Sequence, residues 1–496
     1  MPKTHSFQTI AVVLLLATCK PVPDERTISR PNIVFFLVDD LGKEWISAYG
    51  AEGIETPNVD ALATSGSLFN NVYAMPQCTP TRVTLLTGQY PFRHGWVNHW
   101  DVPRWGGGAH FDESVNPSLG RAMSNAGYAT CIAGKWQIDD FRVEPDALSR
   151  NGFDDYCMWT GYETGIPASA NRYQDPYLYT KEGAKTYEGE FGPDVLTDFI
   201  IDFIENQKNQ QPFFVYYPMV LTHPPLVDTP DEQADTPLGK HKAMVRYADK
   251  LTGKVIQALE HNGLRDNTLI IWTTDNGTSR GLEGLRNGRK VEGAKSQTVE
   301  PGICVPFIAS WPAQMAAKQV SEALIDFSDI FPTFLELAGV DVGHSWKVNG
   351  TQYTIDGRSF KDVLNGKQAS SPRDWIMSMG GGNHARLTEG GVENQFYFRD
   401  RVIRSERYKL CIDTARLPAK FIDLDLDSTE SNNLIDSLTN DERREHFERL
   451  FQVAERLPPK DNDPRYQPNA TREWDVEVTA KSQLWKRGKP GDQSFR

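Results

Sequence analysis

Four uninterrupted apolar runs constrain the fold of this chain more than any other feature of its sequence. Each run lacks the polar alternation of a half-exposed strand and is typical of a strand buried on both faces. Helical patterns separate the runs, which favours parallel strands joined by crossover helices. We therefore expect an α/β fold. The runs cover residues 32–38, 128–133, 212–217 and 268–273, and helices are predicted at 195–206, 244–261 and 329–338.

Polar residues follow each of these runs directly. Ligands of open parallel sheets bind beyond the carboxyl ends of the strands, so these side chains would meet at one edge. They supply acids, amides, a lysine and a histidine. They are Asp39 and Asp40 after the first run, Lys135 and Gln137 after the second, His223 after the third, and Asp275 and Asn276 after the fourth.

The adjacent acids Asp39 and Asp40 indicate a metal site, because neighbouring carboxylates repel unless a cation or protons lie between them. Asp275 and Asn276 complete an all-oxygen set, which suits a hard divalent ion, calcium before magnesium. In the alternative interpretation, the two acids cap a turn and residues 275–277 form a tight turn. Because both motifs follow buried strands, we predict one calcium ion per chain.

The segment from Cys78 to Gly88 predicts a short helix that begins near a cysteine. Pro80 is tolerated in the first helical turn, and Gly88 is a typical helix stop. Cys78 would lie at the positive end of the helix dipole and beside Arg82. Both effects stabilise an anion, either a thiolate or a bound oxyanion. Alternatively, Cys78 is a small buried cysteine at a helix start.

The motif C-x-P-x-R at residues 78–82, with Thr-Gly at 87–88, resembles the signature of type I sulfatases. The resemblance extends from about residue 31 to about residue 434. It implies an alkaline-phosphatase-like α/β sandwich with a large, mostly parallel central sheet. A smaller C-terminal subdomain would add a short antiparallel sheet and a helix. It also implies that a formylglycine-generating maturation enzyme oxidises Cys78 to formylglycine (3-oxoalanine), whose hydrate is the nucleophile.

The resemblance implies hydrolysis of a sulfate ester and assigns a role to each strand-end residue. A hydroxyl of the hydrate would attack sulfur, and the second hydroxyl would lose its proton as sulfate is eliminated. The implied calcium ligands are Asp39, Asp40, Cys78, Asp275 and Asn276; Arg82 would hold the hydrate, Lys135 and Lys295 would bind sulfate oxygens, and His223 would protonate the leaving alcohol.

Two positions depart from the family pattern. Residue 137 is Gln where the family commonly has a histidine that helps remove the proton in the elimination step. A glutamine can orient a hydroxyl but cannot act as a base near neutral pH, so His94 or His223 could substitute, or turnover could be slow. The match around Lys295 is loose, since residues 300–302 read Glu-Pro-Gly instead of Glu-Gly-Gly.

The N-terminal residues 1–18 are typical of a lipoprotein signal peptide, because an apolar run too short to span a bilayer precedes Cys19. A lipid on Cys19 would be the only membrane attachment, and a plain secretory signal is the alternative. In either case we expect export to the periplasm or, as a lipoprotein, to the outer membrane or cell surface. The remaining four cysteines permit one disulfide or four buried thiols.

The predicted organisation continues with a linker at 19–30, the catalytic domain at 31–370, a C-terminal subdomain at 371–457 and a surface-wrapping tail at 458–496. The C-terminal subdomain would contain short strands at 401–404, 408–412 and 420–422 and a charged amphipathic helix within 436–456.

An exported sulfatase would act on a sulfated carbohydrate, in polysaccharide degradation. Aromatic and cationic side chains in two loops suit sulfated sugars, although loop packing and solvated charge are the favoured explanation for them. A net charge of −13 argues against nucleic-acid binding. The alternatives are a phosphodiester or phosphonate monoester hydrolase of the same superfamily and a non-catalytic binder of sulfated glycans. The loop residues are Trp96, His99, Trp100, Arg104, Trp105, Asn383, His384 and Arg386.

Overall fold

The computed structural model describes residues 1, 30–97, 109–163, 165–207, 211–380, 385–388, 391–394, 396–438, 441–470 and 472–475. Within these ranges, no helix has both the length and the apolar character needed to cross a membrane. Residues 2–18 of the predicted signal peptide, Cys19 and nearly all of the linker lie outside the described residues, and so do His99, Trp100, Arg104, Trp105, Asn383 and His384.

The described residues form the following elements. The strands are β1 (Asn32–Val38), β2 (Ala51–Glu52), β3 (Ser67–Tyr73), β4 (Ala129–Lys135), β5 (Asp155–Trp159), β6 (Tyr177–Thr180), β7 (Gly183–Thr186), β8 (Phe213–Pro218), β9 (Thr268–Thr274), β10 (Glu283–Arg286), β11 (Arg289–Glu292), β12 (Cys304–Ser310), β13 (Gln319–Ser321), β14 (Ile325–Asp326), β15 (Ser345–Val348), β16 (Thr351–Thr354), β17 (Ile376–Met379), β18 (Ala385–Thr388), β19 (Gly391–Asn394), β20 (Arg401–Arg404), β21 (Tyr408–Ile412) and β22 (Pro418–Asp423). The α-helices are α1 (Pro57–Thr64), α2 (Cys78–Thr87), α3 (Pro91–His94), α4 (Leu119–Asn125), α5 (Ala147–Arg150), α6 (Gly192–Asn206), α7 (Pro237–His261), α8 (Glu300–Ile303), α9 (Ile330–Leu337), α10 (Lys361–Leu364) and α11 (Asp441–Arg456). Short 3-10 helices lie at Lys43–Trp45, Ser47–Tyr49, Pro167–Ala170, Arg265–Asn267, Phe327–Asp329 and Ile435–Ser437.

An 11-stranded sheet forms the centre of the fold, in the order β13-β3-β12-β9-β1-β8-β4-β5-β6-β7, with β14 also paired to β3. The block β9-β1-β8-β4-β5 is parallel throughout. It contains all four strands predicted from apolar runs, in nearly the predicted bounds. The predicted α/β fold with a large, mostly parallel central sheet is confirmed.

Strand β1 shows why its sequence contains no polar alternation. Ile33, Phe35 and Leu37 belong to one hydrophobic cluster, which α2, α4 and α9 cover. The intervening residues of β1 belong to a second cluster on the other face, covered by α6 and α7. Each fully buried aliphatic or aromatic side chain contributes roughly 1.5–3 kcal/mol, so both faces stabilise the sheet.

Backbone hydrogen bonds join the carboxyl ends of neighbouring strands beyond the sheet itself. The amide of Asp39 donates to Leu221 O (2.8 Å), and the amide of Asp275 donates to Val38 O (3.0 Å). The ends of β1, β8 and β9 therefore form one continuous rigid edge. This edge carries the polar residues that the sequence places after the strands.

The C-terminal region adds a four-stranded antiparallel sheet in the order β17-β20-β21-β22. Leu450 and Ala454 of α11 pack in the same hydrophobic cluster as Leu410 of β21. Farther along the chain, Asp461 forms a fully buried ion pair with Arg401 (2.7 Å). The predicted C-terminal subdomain with an antiparallel sheet and a helix is confirmed, and its exact boundaries remain predictions.

Gly134 allows β4 to approach β8 closely just before Lys135. A Cβ atom there would lie 1.9 Å from Pro218 O, and the residue has φ +130°. We expect Gly134→Ala to lower the free energy of unfolding by about 3 kcal/mol or more, because a backbone clash adds to an unfavourable φ. Urea denaturation followed by tryptophan fluorescence measures the change.

Gly263→Ala is the matched control, since Gly263 also has a positive φ (+69°) but open space around its would-be Cβ. It should cost only about 1 kcal/mol. Equal losses in the two variants would show that the close approach of residue 134 to Pro218 does not contribute to the change in the free energy of unfolding.

Candidate active site

Helix α2 begins at Cys78 and presents its N-terminus to the rigid edge of the sheet. Every residue of the helix is buried, and Gly88 follows it directly, as the sequence predicts. The Thr81 hydroxyl donates to Asp275 O (2.7 Å), which fixes the first turn of α2 to the end of β9. Cys78 therefore has a defined position relative to the strand-end carboxylates.

Arg82 connects three elements of the site in a fully buried position. Its Nη2 lies 2.7 Å from Asp275 Oδ2 and 3.8 Å from Asp39 Oδ1. Its Nη1 donates to Lys135 O (2.8 Å) at the end of β4. The guanidinium thus balances negative charge from β1 and β9 while it holds β4 in place.

Two lysines pair with the adjacent acids. Lys135 Nζ lies 2.7 Å from Asp39 Oδ2, and Lys295 Nζ lies 2.6 Å from Asp40 Oδ2. The Lys295 side chain is 18% exposed, whereas that of Lys135 is 2% exposed. Lys295 therefore faces the opening of the site, and Lys135 forms its inner wall.

His223 lies on the open side of the same carboxylates. Its Nδ1 is 2.7 Å from Pro224 O and donates to it, and its Nε2 lies 3.7 Å from Asp40 Oδ2. Burial and the positive charge of Lys295 lower the pKa of His223. In the neutral ring, Nε2 carries the free lone pair and is directed to the carboxylate side of the site.

Burial and charge set the other ionisation states in this cluster. Although burial opposes ionisation, Lys135 holds the pKa of Asp39 below its usual range and Lys295 does so for Asp40. Burial raises the pKa of Asp275, reinforced by the Asp39 charge. Burial also raises the pKa of the Cys78 thiol, because desolvation outweighs the two nearby lysines. Of the two anions expected from the sequence, this disfavours the thiolate and leaves the bound oxyanion as a prediction.

The residues present fit a hard divalent cation. Ligand atoms of Asp39, Asp40, Cys78 and His223 all lie within 4.8 Å of one another. Asp39 Oδ1 and Asn276 Oδ1 are buried without a hydrogen-bond partner, which is costly unless a cation binds there. Asp275 is already engaged, since Oδ1 accepts from the Asp40 amide and Oδ2 from Arg82.

The candidates for the proton-transfer role, Gln137, His94 and His223, differ in where the structure places them. Gln137 follows β4 with φ +74°, and its Oε1 is buried without a partner. His94 bonds with the Thr84 hydroxyl (3.2 Å) and the Trp96 amide (3.1 Å), more than one helical turn beyond the start of α2. His223 therefore lies at the site, and His94 does not.

Trp96 is also buried in the hydrophobic core, where it cannot contact a sugar. The loop-packing interpretation is correct for this residue. Arg386 lies in β18. Ser279 was not predicted as a site residue, yet its hydroxyl donates to Asp40 Oδ2 (2.8 Å). Its position four residues after Asp275 is the signal that could have identified it.

The five described cysteines, Cys78, Cys131, Cys157, Cys304 and Cys411, are free thiols. Among the two possibilities left open by the sequence, the described residues therefore contain no disulfide. Cys131 and Cys157 are buried, whereas Cys304 and Cys411 are only partly so.

Comparison with known proteins places these residues in a family context. A family model described as "Sulfatase" matches residues 31–340, and one described as "N-sulphoglucosamine sulphohydrolase, C-terminal" matches residues 294–456. N-acetylgalactosamine-6-sulfatase of Rattus norvegicus is 34% identical over 349 residues, which cover 66% of this chain and 64% of that protein. The match thus spans less than two thirds of the relative's length.

Solved structures agree in fold. The structure of Ps i-CgsB is similar with a TM-score of 0.71 at 22% identity, covering 93% of this chain and 98% of that one. Phosphonate monoester hydrolase SpPMH from Silicibacter pomeroyi has a TM-score of 0.61 at 18% identity, covering 87% and 96%. The fold alone therefore does not distinguish sulfate from phosphonate chemistry.

Removal of the Arg82 charge should destabilise the protein strongly. We expect Arg82→Met to lower the free energy of unfolding by about 3–5 kcal/mol, because Asp275 loses its buried partner. Urea denaturation is the measurement. Arg407→Met is the control, since Arg407 pairs with Asp423 at the same 2.7 Å but is 36% exposed. Its loss should stay below about 1 kcal/mol, and similar losses in both variants would contradict the importance of burial.

Proposed function

This chain belongs to the sulfatase family, and from that premise we propose that it hydrolyses sulfate esters of a sulfated carbohydrate. The proposal depends chiefly on one arrangement: Cys78 lies at a helix N-terminus among buried carboxylates, with Lys135 and Lys295 on two sides. Two lysines beside the position of the nucleophile are suited to a substrate with a negatively charged oxygen group such as a sulfate ester. Their charges stabilise the negative charge that develops on oxygen in the transition state.

Position 78 is the proposed nucleophile after oxidation of Cys78 to formylglycine by a maturation enzyme. An unmodified Cys78 would be a poor nucleophile near neutral pH, because burial raises the pKa of its thiol. Arg82 would orient the hydrate from within the helix. Lys135 and Lys295 would bind non-bridging sulfate oxygens.

Calcium is the proposed metal, held by Asp39, Asp40, Asn276 and the residue at position 78, with Asp275 beside them. When bound, it would polarise the sulfate group as a Lewis acid. The unpartnered oxygens of Asp39 and Asn276 support this assignment. Ser279 and Lys295 would hold the Asp40 carboxylate in a fixed orientation.

In this proposal, His223 transfers protons and Gln137 orients a hydroxyl by hydrogen bonding. His223 would donate a proton to the leaving alcohol and would need to gain that proton when the substrate's negative charge enters the site. Gln137 has a buried Oε1 without a hydrogen-bond partner, and in this proposal it would accept a hydrogen bond from a hydroxyl of the reacting group and orient it. In this proposal His223, which lies at the site while His94 does not, would also take up the proton released on elimination.

The proposed substrate is a sulfated polysaccharide or an oligosaccharide derived from it. This class follows from the family and from the predicted export signal. The periplasmic or outer-membrane location and the lipid on Cys19 are part of the same proposal and rest on residues 1–19.

Sulfate release is the direct test of this function. The protein is co-expressed with a formylglycine-generating enzyme and incubated with a panel of sulfated oligosaccharides, and free sulfate is measured by ion chromatography. We expect release by the native chain and a loss of at least about 1,000-fold in Cys78→Ala, because the nucleophile is removed.

Cys304→Ser serves as the control, since Cys304 lies in β12 with Lys43 as its side-chain contact and should retain full activity. The panel also includes a phosphonate monoester and a phosphodiester. Turnover of these with no sulfate release, while mass spectrometry shows formylglycine at position 78, would refute the sulfatase proposal.

Calcium binding can be measured separately from turnover. We expect one calcium ion per chain by isothermal titration calorimetry and at least a tenfold weaker affinity in Asp40→Asn, because a charged oxygen ligand is lost. Asp436→Asn is the control, as Asp436 is exposed on the C-terminal side of the chain. Unchanged affinity in Asp40→Asn would remove this residue from the metal site.

A further inference from the structure

Arg172 is a buried cation for which the described residues offer no carboxylate partner. Its residue exposure is 2%, and its Nε has no hydrogen-bond partner. Arg82, Arg401 and Arg404 are similarly buried, and each has a carboxylate oxygen within 4.0 Å. Arg172 therefore differs from these three buried arginines.

The contacts of Arg172 place it beside the active site. Its guanidinium carbon lies 4.3 Å from the centre of the Trp159 ring. Trp159 ends β5 and pairs in register with Lys135 on β4. The Nη2 of Arg172 donates to the carbonyl of Pro224, and the Nδ1–H of His223 donates to the same carbonyl. Arg172 thus lies between the end of β5 and the loop that carries His223.

These contacts compensate only part of the cost of burying the charge. An isolated buried cation loses several kcal/mol of hydration free energy, and stacking on an aromatic ring returns roughly 2 kcal/mol. One carbonyl oxygen satisfies only one of the five N–H groups of a guanidinium. Because the Arg172 guanidinium lies next to the proposed anion-binding site, an anionic group of the ligand could act as its counter-ion.

The two lysines at the reacting centre are not placed to bind a second anionic group of the substrate. Lys135 and Lys295 each contact one acid of the metal cluster, and both flank Cys78, where the reacting sulfate would bind. Arg172 instead presents a planar guanidinium whose Nε–H has no partner, and this group is suited to binding a carboxylate or a sulfate.

We propose that Arg172 binds a second anionic group of the substrate, a carboxylate or a further sulfate ester on the sugar whose sulfate is removed or on its neighbour. The assignment rests on the proposed function and narrows its substrate to sugars with at least two negative charges. Arg172 is a specificity-determining residue in this scheme, and the reacting sulfate remains with Lys135 and Lys295.

A purely structural role is the competing explanation, because Arg172 also supports the Pro224 carbonyl and thereby the His223 loop. The two roles differ in their dependence on substrate charge. Loss of structural support would impair every substrate equally. Loss of an anion contact would impair only substrates that carry the second anion.

The test compares a sulfated hexosamine that carries no other charge with the same sugar joined to a hexuronate and with its disulfated form. Arg172→Met removes the charge and keeps much of the side-chain length, and Arg172→Lys keeps the charge without the planar fork. For Arg172→Met we expect kcat/KM on each two-anion substrate to fall about 10- to 100-fold relative to the one-anion substrate, mainly through KM. Arg172→Lys should show an intermediate loss.

An equal fall on all three substrates, or an unchanged ratio, would overturn the proposal. A fall with the hexuronate alone identifies a carboxylate subsite, and a fall with the disulfated sugar alone identifies a sulfate subsite. Arg172→Lys carries the same comparison if Arg172→Met does not fold.

Binding to the Cys78→Ala protein separates this inference from the proposed function. Calorimetry with the same three sugars should show tighter binding of the two-anion ligands, and Arg172→Met should abolish the difference. If the native protein releases no sulfate from any of them but this difference is present, the sulfatase proposal fails and the Arg172 assignment stands. If sulfate is released and the difference is absent, the Arg172 assignment fails alone.

Discussion

Three buried carboxylates at the ends of two parallel strands create the electrostatic constraint on which this site depends. Asp39, Asp40 and Asp275 would repel one another in a region shielded from water. Each is held by a cation from another part of the chain: Lys135 from β4, Lys295 from the loop after β11, and Arg82 from α2. The sheet, the helix and the loop can adopt their native arrangement only together, because any one of them alone leaves a buried charge without a partner.

Much of the central fold could be predicted because its physical signals are local. The interior strands are buried on both faces, so their sequences are continuous apolar runs, and β1 has the predicted bounds of Asn32–Val38. The convergence of Asp39, Lys135, His223 and Asp275 followed from the rule that parallel strands share a carboxyl edge. In the C-terminal sheet, β20 and β21 also have the predicted bounds, since short strands separated by turns can be identified without tertiary context.

The remaining features depend on tertiary burial, which the sequence does not specify. The positions of β3 and β12 beside β9 follow from long-range pairing. Cys78 has a helix dipole and cations nearby, yet desolvation raises the pKa of its thiol, and the balance is visible only once the helix is placed. Trp96 is of a residue type that often binds sugars, but its side chain lies in the hydrophobic core. Arg172 has no motif around it, and its missing counter-ion is apparent only from its neighbours in space.

The charge balance of the site also explains how a chain with net charge −13 can bind an anionic sugar. The overall charge acts weakly at the site, because salt screens exposed charges beyond about 8–10 Å. Within the site, the carboxylates and their cations roughly cancel, so a bound divalent cation would leave an excess of positive charge for the reacting sulfate. Arg172 has no carboxylate among its contacts within the described residues and would add a further positive charge at a second point. Affinity for the reacting sulfate and selectivity for multiply charged sugars would then come from different residues, and each could change without the other.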